Sequence, residues 1–284
     1  MPSFLHMREE NARRCRPILG TFVEIAVPKV AAAAIDSAFA RIEHIHPRMS
    51  FHSEGSDLAA LRKARPGAGV AVDTATIEVL RLAQDLYRRT DGVFDAAVGT
   101  RLVEWGFLPE PNGYRDKEWD GGMLDVEILD ETHVSVSRRV LLDLGGIAKG
   151  YAVDCAVDAL MEAGASSGTV NAGGDLRVFG EWEEIVHLRE ADETIGGSLA
   201  VRNAALASSS NLHDRRRHHA GATSPHVLRQ APVLADNAVT VIADRCVIAD
   251  AMTKVALASP AMAERVLADL NAELIDRRAL RVLH

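Results

Sequence analysis

The chain has 284 residues, of which 48% are hydrophobic and 25% charged, with a formal net charge of -8. That balance excludes a disordered chain, no apolar run reaches the roughly 20 residues of a membrane helix, and the acidic surplus argues against a nucleic-acid partner. Cys15, Cys155 and Cys246 are odd in number and far apart, which excludes a disulfide framework or a C-x-x-C zinc site.

The N-terminus, M-P-S-F-L-H-M-R-E-E, carries charges where a signal peptide needs an apolar stretch. With the reduced thiols, this gives the expectation of a cytoplasmic protein: a flexible tail at residues 1–15, then a single domain over 16–284. Residues 18–27 are β-branched around Gly20 and predict a first strand with the glycine at a close approach. In residues 30–45, Ala34, Ile35, Ala38, Phe39, Ile42 and Ile45 keep three-four spacing, a helix that Pro47 should stop. Ser56 or Asp57 caps a short helix to Arg62, and residues 74–87 form the clearest amphipathic helix, closed by T-D-G.

Residues 93–107 mix aromatics, one Asp and small residues, as a short helix against a cleft would. Strands are expected at 124–129, 133–136 and 140–142, then a helix at 147–163. Short strands flank a second Gly-Gly after Gly168, and two more are expected at 184–188 and 198–202. Residues 211–237 read as a long loop carrying D-R-R-R-H-H. A strand at 238–243, helices at 245–258 and 262–270, and a strand at 274–283 close the chain. Strands and helices cluster rather than alternate, so the expected class is α+β, with largely antiparallel sheets and packed helices.

The stretch with the most chemistry is L-L-D-L-G-G-I-A-K-G-Y-A at 141–152. A strand, a tight turn and a helix start would aim backbone N–H groups outward, with Gly145 and Gly146 permitting close approach and Lys149 adding a charge. A phosphate or pyrophosphate suits such donors. Asp143 beside an anion implies a cation, a hydroxyl or a base edge as well. The plain structural reading is an Asp-capped turn with a surface lysine.

Five stretches together resemble the ApbE-type flavin transferases, that is, FAD:protein FMN transferases: R-P-I-L-G-T-F-V-E-I from Arg16, M-S-F-H-S-E-G-S-D-L from Met49, G-V-F-D-A-A-V-G from Gly92, L-D-L-G-G-I-A-K-G-Y-A-V-D from Leu142, and V-N-A-G-G-D-L-R-V-F-G from Val170. A sixth, V-T-V-I-A-D-R-C-V-I-A-D-A-M-T-K from Val239, fits more loosely. The resemblance implies an α+β fold with FAD in a cleft between two lobes and Mg²⁺ on the pyrophosphate. It further implies transfer of FMN from FAD to a Ser or Thr hydroxyl of an acceptor protein, with release of AMP. By position it assigns flavin contacts to Leu19, His52, Phe94, Asp95, Asp143 and Lys149. The metal shell falls on the Gly146 carbonyl, Asp250 and Thr253. Asn171 and Asp175 are weaker ligand candidates. Each has a plain counterpart: Phe94 in the core, Asp95 capping a helix, His52 solvated.

The departures are as specific as the matches. The family's late loop reads H-x-x-D-P-R-T-G and its His is the usual base; here the loop is H-A-G-A-T-S-P-H-V-L-R-Q-A-P, leaving His219 or His226 as the candidate. Neither is followed by Asp-Pro, so a catalytically impaired FAD carrier is the competing reading. Lys254 stands where the family helix has Thr, and Leu19 where it has Met. On a helix, Lys254 shares a face with Asp250, either as a surface ion pair or as an ammonium competing with Mg²⁺. A metal-dependent phosphohydrolase would need more carboxylates than Asp143 and Asp250, and a G-x-G-x-x-G fingerprint is missing after the first strand.

Overall fold

A computed structural model of the chain describes residues 11–112, 114, 118–189, 194–210 and 238–277, with the backbone of four short strands between 216 and 232. It opens on a hairpin of β1 (Asn11–Ile18) and β2 (Thr21–Pro28). Leu19 and Gly20 form the turn with φ of 60° and 71°, the signs of a type I′ hairpin turn. A Cβ on Gly20 would meet nothing within 4 Å, so this glycine supplies a positive φ and not the close approach expected of it. Residues 11–15, expected in a tail, form the first half of β1.

After the hairpin come α1 (Ala34–Arg48), α2 (Asp57–Lys63), β3 (Val70–Ala71), α3 (Thr74–Arg89) and α4 (Gly99–Glu104). Ser56 is the cap of α2, accepting the Ala59 N–H at 3.0 Å, and Asp73 caps α3 through the Ala75 N–H at 2.9 Å. Pro47 does not stop α1 ahead of itself but lies in its last turn, one residue before the end at Arg48. Next are β4 (Val126–Ile128), β5 (His133–Val136), α5 (Ala148–Glu162) and β6 (Gly168–Ala172). Residues 140–142 are not a strand. The Leu141 carbonyl instead accepts the N–H of Gly99, the first residue of α4.

The two long strands β7 (Asp175–Arg189) and β8 (Ile195–Ser210) absorb the short pieces read at 184–188 and 198–202. Between them and β13 lie the hairpins β9 (Arg216–His218) with β10 (Gly221–Thr223), and β11 (Val227–Leu228) with β12 (Ala231–Pro232). The chain continues as β13 (Ala238–Ala243), α6 (Cys246–Ala258), α7 (Pro260–Val266) and β14 (Ala272–Leu274). Of the strand expected at 274–283, Leu274 lies at the end of β14 and residues 275–277 are not strand, while 278–283 lie outside the described residues.

A seven-stranded sheet runs β1-β2-β6-β7-β8-β13-β14 and a three-stranded one β3-β5-β4, with every described pairing antiparallel. The α+β expectation holds. Helices α1, α5 and α6 lie side by side on the large sheet, α1 against β2, α5 against β6 and β7, and α6 against β8 and β13. Alternation on β2 turns Val23, Ile25 and Val27 into this interface, where Phe39, Ile42, Val153 and Val157 are fully buried. Burial of each such side chain stabilises by roughly 1.5–3 kcal/mol. The segment 137–147 leaves the small sheet and enters α5 on the large one, so Asp143 sits where the two groups of elements meet.

Candidate functional site

Two helix starts face each other. The Gly150 N–H, in the first turn of α5, donates to Asp250 Oδ2 of α6 at 3.0 Å. In return the Cys246 and Val247 N–H groups, opening α6, donate to the two oxygens of Asp154 on α5 at 2.9 and 3.0 Å. Each helix therefore satisfies donors that the other leaves unpaired. Gly150 is what permits the approach: a Cβ there would lie 2.4 Å from the Cys246 carbonyl oxygen and 2.8 Å from Asp250 Cβ.

On the open side of this crossing stand two ion pairs. Lys149 Nζ bonds Asp175, the first residue of β7, and Lys254 Nζ lies 2.5 Å from Asp250 Oδ1. Lys254 also donates to Ser209 Oγ at 2.9 Å and to Thr253 Oγ1 at 3.1 Å. Thr253 Oγ1 donates to the Asp250 carbonyl at 2.7 Å and is 2.7 Å from Ser209 Oγ. Burial, then the neighbouring Asp250 charge, push the Asp175 carboxyl up against the pull of Lys149 and Lys254. Burial also acts on Asp250, but the Lys254 and Lys149 ammoniums and the Gly150 N–H hold it below its ordinary value. Lys149 is likewise disfavoured by burial, yet the Asp250 and Asp175 carboxylates keep its pKa above the ordinary lysine value.

The loop residues converge on the same turn. The Asp143 N–H donates to the Ala96 carbonyl at 2.8 Å, tying the turn to the segment that carries Phe94 and Asp95. Asp95 accepts the Ala97 N–H at 2.8 Å, so it caps a turn before α4 and not α4 itself, and burial raises its pKa. Burial raises that of Asp143 as well, opposed by the Gly145 N–H and the nearby His52. Phe94 is buried in the main core, yet a Cβ on Gly146 would be 4.0 Å from its ring and 3.4 Å from Lys254 Cγ. His52 is exposed, its ring edge-on to Phe51. Leu19 is at the tip of the first hairpin, and Thr21 beside it would collide with a side chain on Gly173 in the β6–β7 turn.

Among the described residues a cavity of about 890 Å³ opens beside the β1–β2 and β6–β7 turns, with Thr21, Asn171, Gly173, Gly174, His187 and Ser209 in its walls; none of the residues assigned to flavin or metal lines it. Ser209 belongs to both the cavity and the Lys254 cluster. The volume lies within the range of small-molecule sites.

The ApbE family model matches residues 19–275. The chain belongs to the ApbE family. It is 29% identical over 257 residues to the FAD:protein FMN transferase of Rhodobacter capsulatus, covering 82% of this chain and 49% of that protein. To the FAD:protein FMN transferase of Chlamydia pneumoniae it is 26% identical over 204 residues, 69% of this chain and 64% of that one. The chain thus spans about half to two thirds of the length of these curated relatives. The ApbE protein of Thermotoga maritima superimposes with a TM-score of 0.80 at 24% identity, over 93% of both chains. The apo flavinyl transferase ApbE of Pseudomonas stutzeri gives 0.76 at 18% identity, over 92% of this chain and 89% of that one. At these identities the structures establish the ApbE fold.

Of the residues assigned through the ApbE resemblance, the structure gathers Asp250, Thr253 and Gly146 around Lys254, with Lys149 near Asp250, and Phe94, Asp95 and Asp143 around the adjoining turn. His219 and His226 lie outside the described residues. Lys149 is not a surface lysine, since it pairs with a buried carboxylate. Nor is the Asp250–Lys254 pair a surface one, because Asp250 is 0% exposed. Sequence reasoning missed Asp154 and Ser209. Asp154 stands inside a matched motif as an ordinary helical residue, and Ser209 sits in a serine run whose facing is set only by pairing with Val239.

Proposed function

We propose that this ApbE chain transfers FMN from FAD to a Ser or Thr hydroxyl of an acceptor protein and releases AMP. The observation that carries the reading is the meeting of Lys149, Asp175, Asp250 and Lys254 at the start of α5, with Lys254 against Gly146 and bonded to Ser209 in the wall of a ligand-sized cavity. Family membership and the names of the Rhodobacter and Chlamydia relatives support it. In the transfer, the acceptor oxygen bonds to the FMN phosphorus, the anhydride bond to AMP breaks, and the hydroxyl proton passes to a base. Positioning and charge neutralisation supply most of the acceleration in such reactions. Lys149 would neutralise the pyrophosphate, while Leu19, His52, Phe94, Asp95 and Asp143 would contact the flavin half. His219 or His226 would take the proton.

Mg²⁺ at the Gly146 carbonyl, Asp250 and Thr253 is the family expectation. Here the Asp250 and Thr253 oxygens are engaged by the Lys254 ammonium, so this donor set does not fit a bound Mg²⁺ as it stands. Among the described residues no cluster of three or more His, Cys, Asp or Glu could hold a metal, and no helix is long and apolar enough to cross a membrane. The free cysteines and acidic charge support a cytoplasmic protein that does not bind nucleic acid.

Incubation with FAD and a threonine-bearing acceptor, with and without Mg²⁺, tests the proposal. AMP release and an FMN-sized mass gain on the acceptor are expected. Tight FAD binding with neither product would refute the transferase and leave an FAD carrier.

A further inference from the structure

We propose that the Lys254 ammonium is a built-in replacement for a divalent cation, so that this chain binds the flavin dinucleotide without metal. The inference rests on the flavin-nucleotide reading above for its ligand, but not for its geometry. Lys254 Nζ has three oxygen partners, Asp250 Oδ1 at 2.5 Å, Ser209 Oγ at 2.9 Å and Thr253 Oγ1 at 3.1 Å. An ammonium has three donors and no acceptor, so this set satisfies it completely. Two of the three oxygens belong to residues that the family pattern assigns to a cation, and the lysine stem passes close to Gly146, the remaining residue of that pattern: a Cβ there would be 3.4 Å from Lys254 Cγ and 3.7 Å from Cε.

The same two residues are engaged further. Asp250 Oδ2 accepts the Gly150 N–H at 3.0 Å, and the Thr253 hydroxyl proton goes to the Asp250 carbonyl at 2.7 Å. A Mg²⁺ ion needs near-octahedral oxygens at about 2.0–2.1 Å, which a lysine already bonded to the same atoms denies it. Charge leads to the same result. Lys149 and Lys254 balance Asp175 and Asp250, so the cluster is neutral without metal. With Thr at position 254 it would carry one uncompensated carboxylate and would call for a cation. Ser209 then links the ammonium to the cavity wall, so the charged N–H donors stand one hydroxyl behind that wall while the cluster as a whole stays neutral.

The test uses Mn²⁺ as metal probe, read by electron paramagnetic resonance, and FAD binding read by flavin fluorescence in Mg²⁺ or in chelator. The wild-type protein is expected to bind no Mn²⁺ and to hold FAD equally well in both buffers. Lys254→Thr should gain one Mn²⁺ site and bind FAD at least about tenfold more tightly with Mg²⁺ than with chelator. Lys254→Met, which has neither charge nor oxygen, should lose FAD affinity in both buffers. Wild-type FAD binding that drops about tenfold or more in chelator, or Mn²⁺ entering the wild-type site, would overturn the inference. These two wild-type measurements decide it even where a variant does not fold. If FAD binds to no protein in any buffer, the flavin reading fails, while the Mn²⁺ titrations still report on Lys254.

Discussion

Asp154 and Asp250 cap each other's helices. Asp154 on α5 accepts the first N–H groups of α6, and Asp250 on α6 accepts an N–H in the first turn of α5. Both carboxylates are 0% exposed, and they differ in what else they hold: Arg177 pairs with Asp154 at 3.0 Å, Lys254 with Asp250. One junction is thereby structural and the other is turned to the candidate site.

Replacing Asp154 with Ala should therefore act on stability. It orphans two buried donors, Cys246 and Val247, and removes a cap, a loss of about 2–4 kcal/mol. Denaturant unfolding measures it. Flavin affinity of the folded fraction should stay within about twofold, and a larger change would place Asp154 in the site.

Leu19 occupies a left-handed conformation, φ 60°, that costs a non-glycine residue about 1–2 kcal/mol. Leu19→Asn creates Asn-Gly, the preferred type I′ pair, and should raise stability by about 1 kcal/mol. Flavin affinity should fall at the same time on the proposed flavin contact of Leu19. Stability gained with affinity intact would show that the leucine serves the hairpin alone.

Lys149→Met strands the Asp175 carboxylate, which burial already drives above its ordinary value. A raised carboxyl pKa penalises the folded state above that pKa, and the penalty vanishes as the group protonates. Loss of about 2–3 kcal/mol is expected at neutral pH, discounted for the partial exposure of Lys149. It should shrink as pH falls through the raised value towards 3.8. Thermal melts of both proteins from pH 4 to 8 give the comparison; a gap that widens on acidification would contradict it. FAD affinity at neutral pH should drop about ten- to hundredfold.

Asp143→Asn keeps an acceptor for the Gly145 N–H at 3.3 Å but removes a charge that burial disfavours. The variant should be more stable than wild type above the raised pKa of Asp143, with the difference fading towards pH 3.8 where both side chains are neutral. Transfer should weaken as stability rises. If melting temperatures match at every pH, the carboxylate is hydrated and the burial argument fails.

Motif order and spacing along one chain determined the family and the α+β class, and hydrophobic period determined α1, α3, α5 and α6 within a few residues. Such signals are local, since a helix buries residues three and four apart whatever it packs against. The extent of β7 and β8 was not legible. Exposed positions on a long hairpin alternate irregularly, and their pairing partners lie on the other strand. For Lys254 the sequence allowed a surface pair or a cation's place. What decided between them was the packing of α6 against α5 and β8, which buries Asp250 and brings Ser209 from 45 residues away to the same ammonium. Burial and convergence of remote segments are properties of the packed chain, and at this site they determine which charge sits on the oxygens.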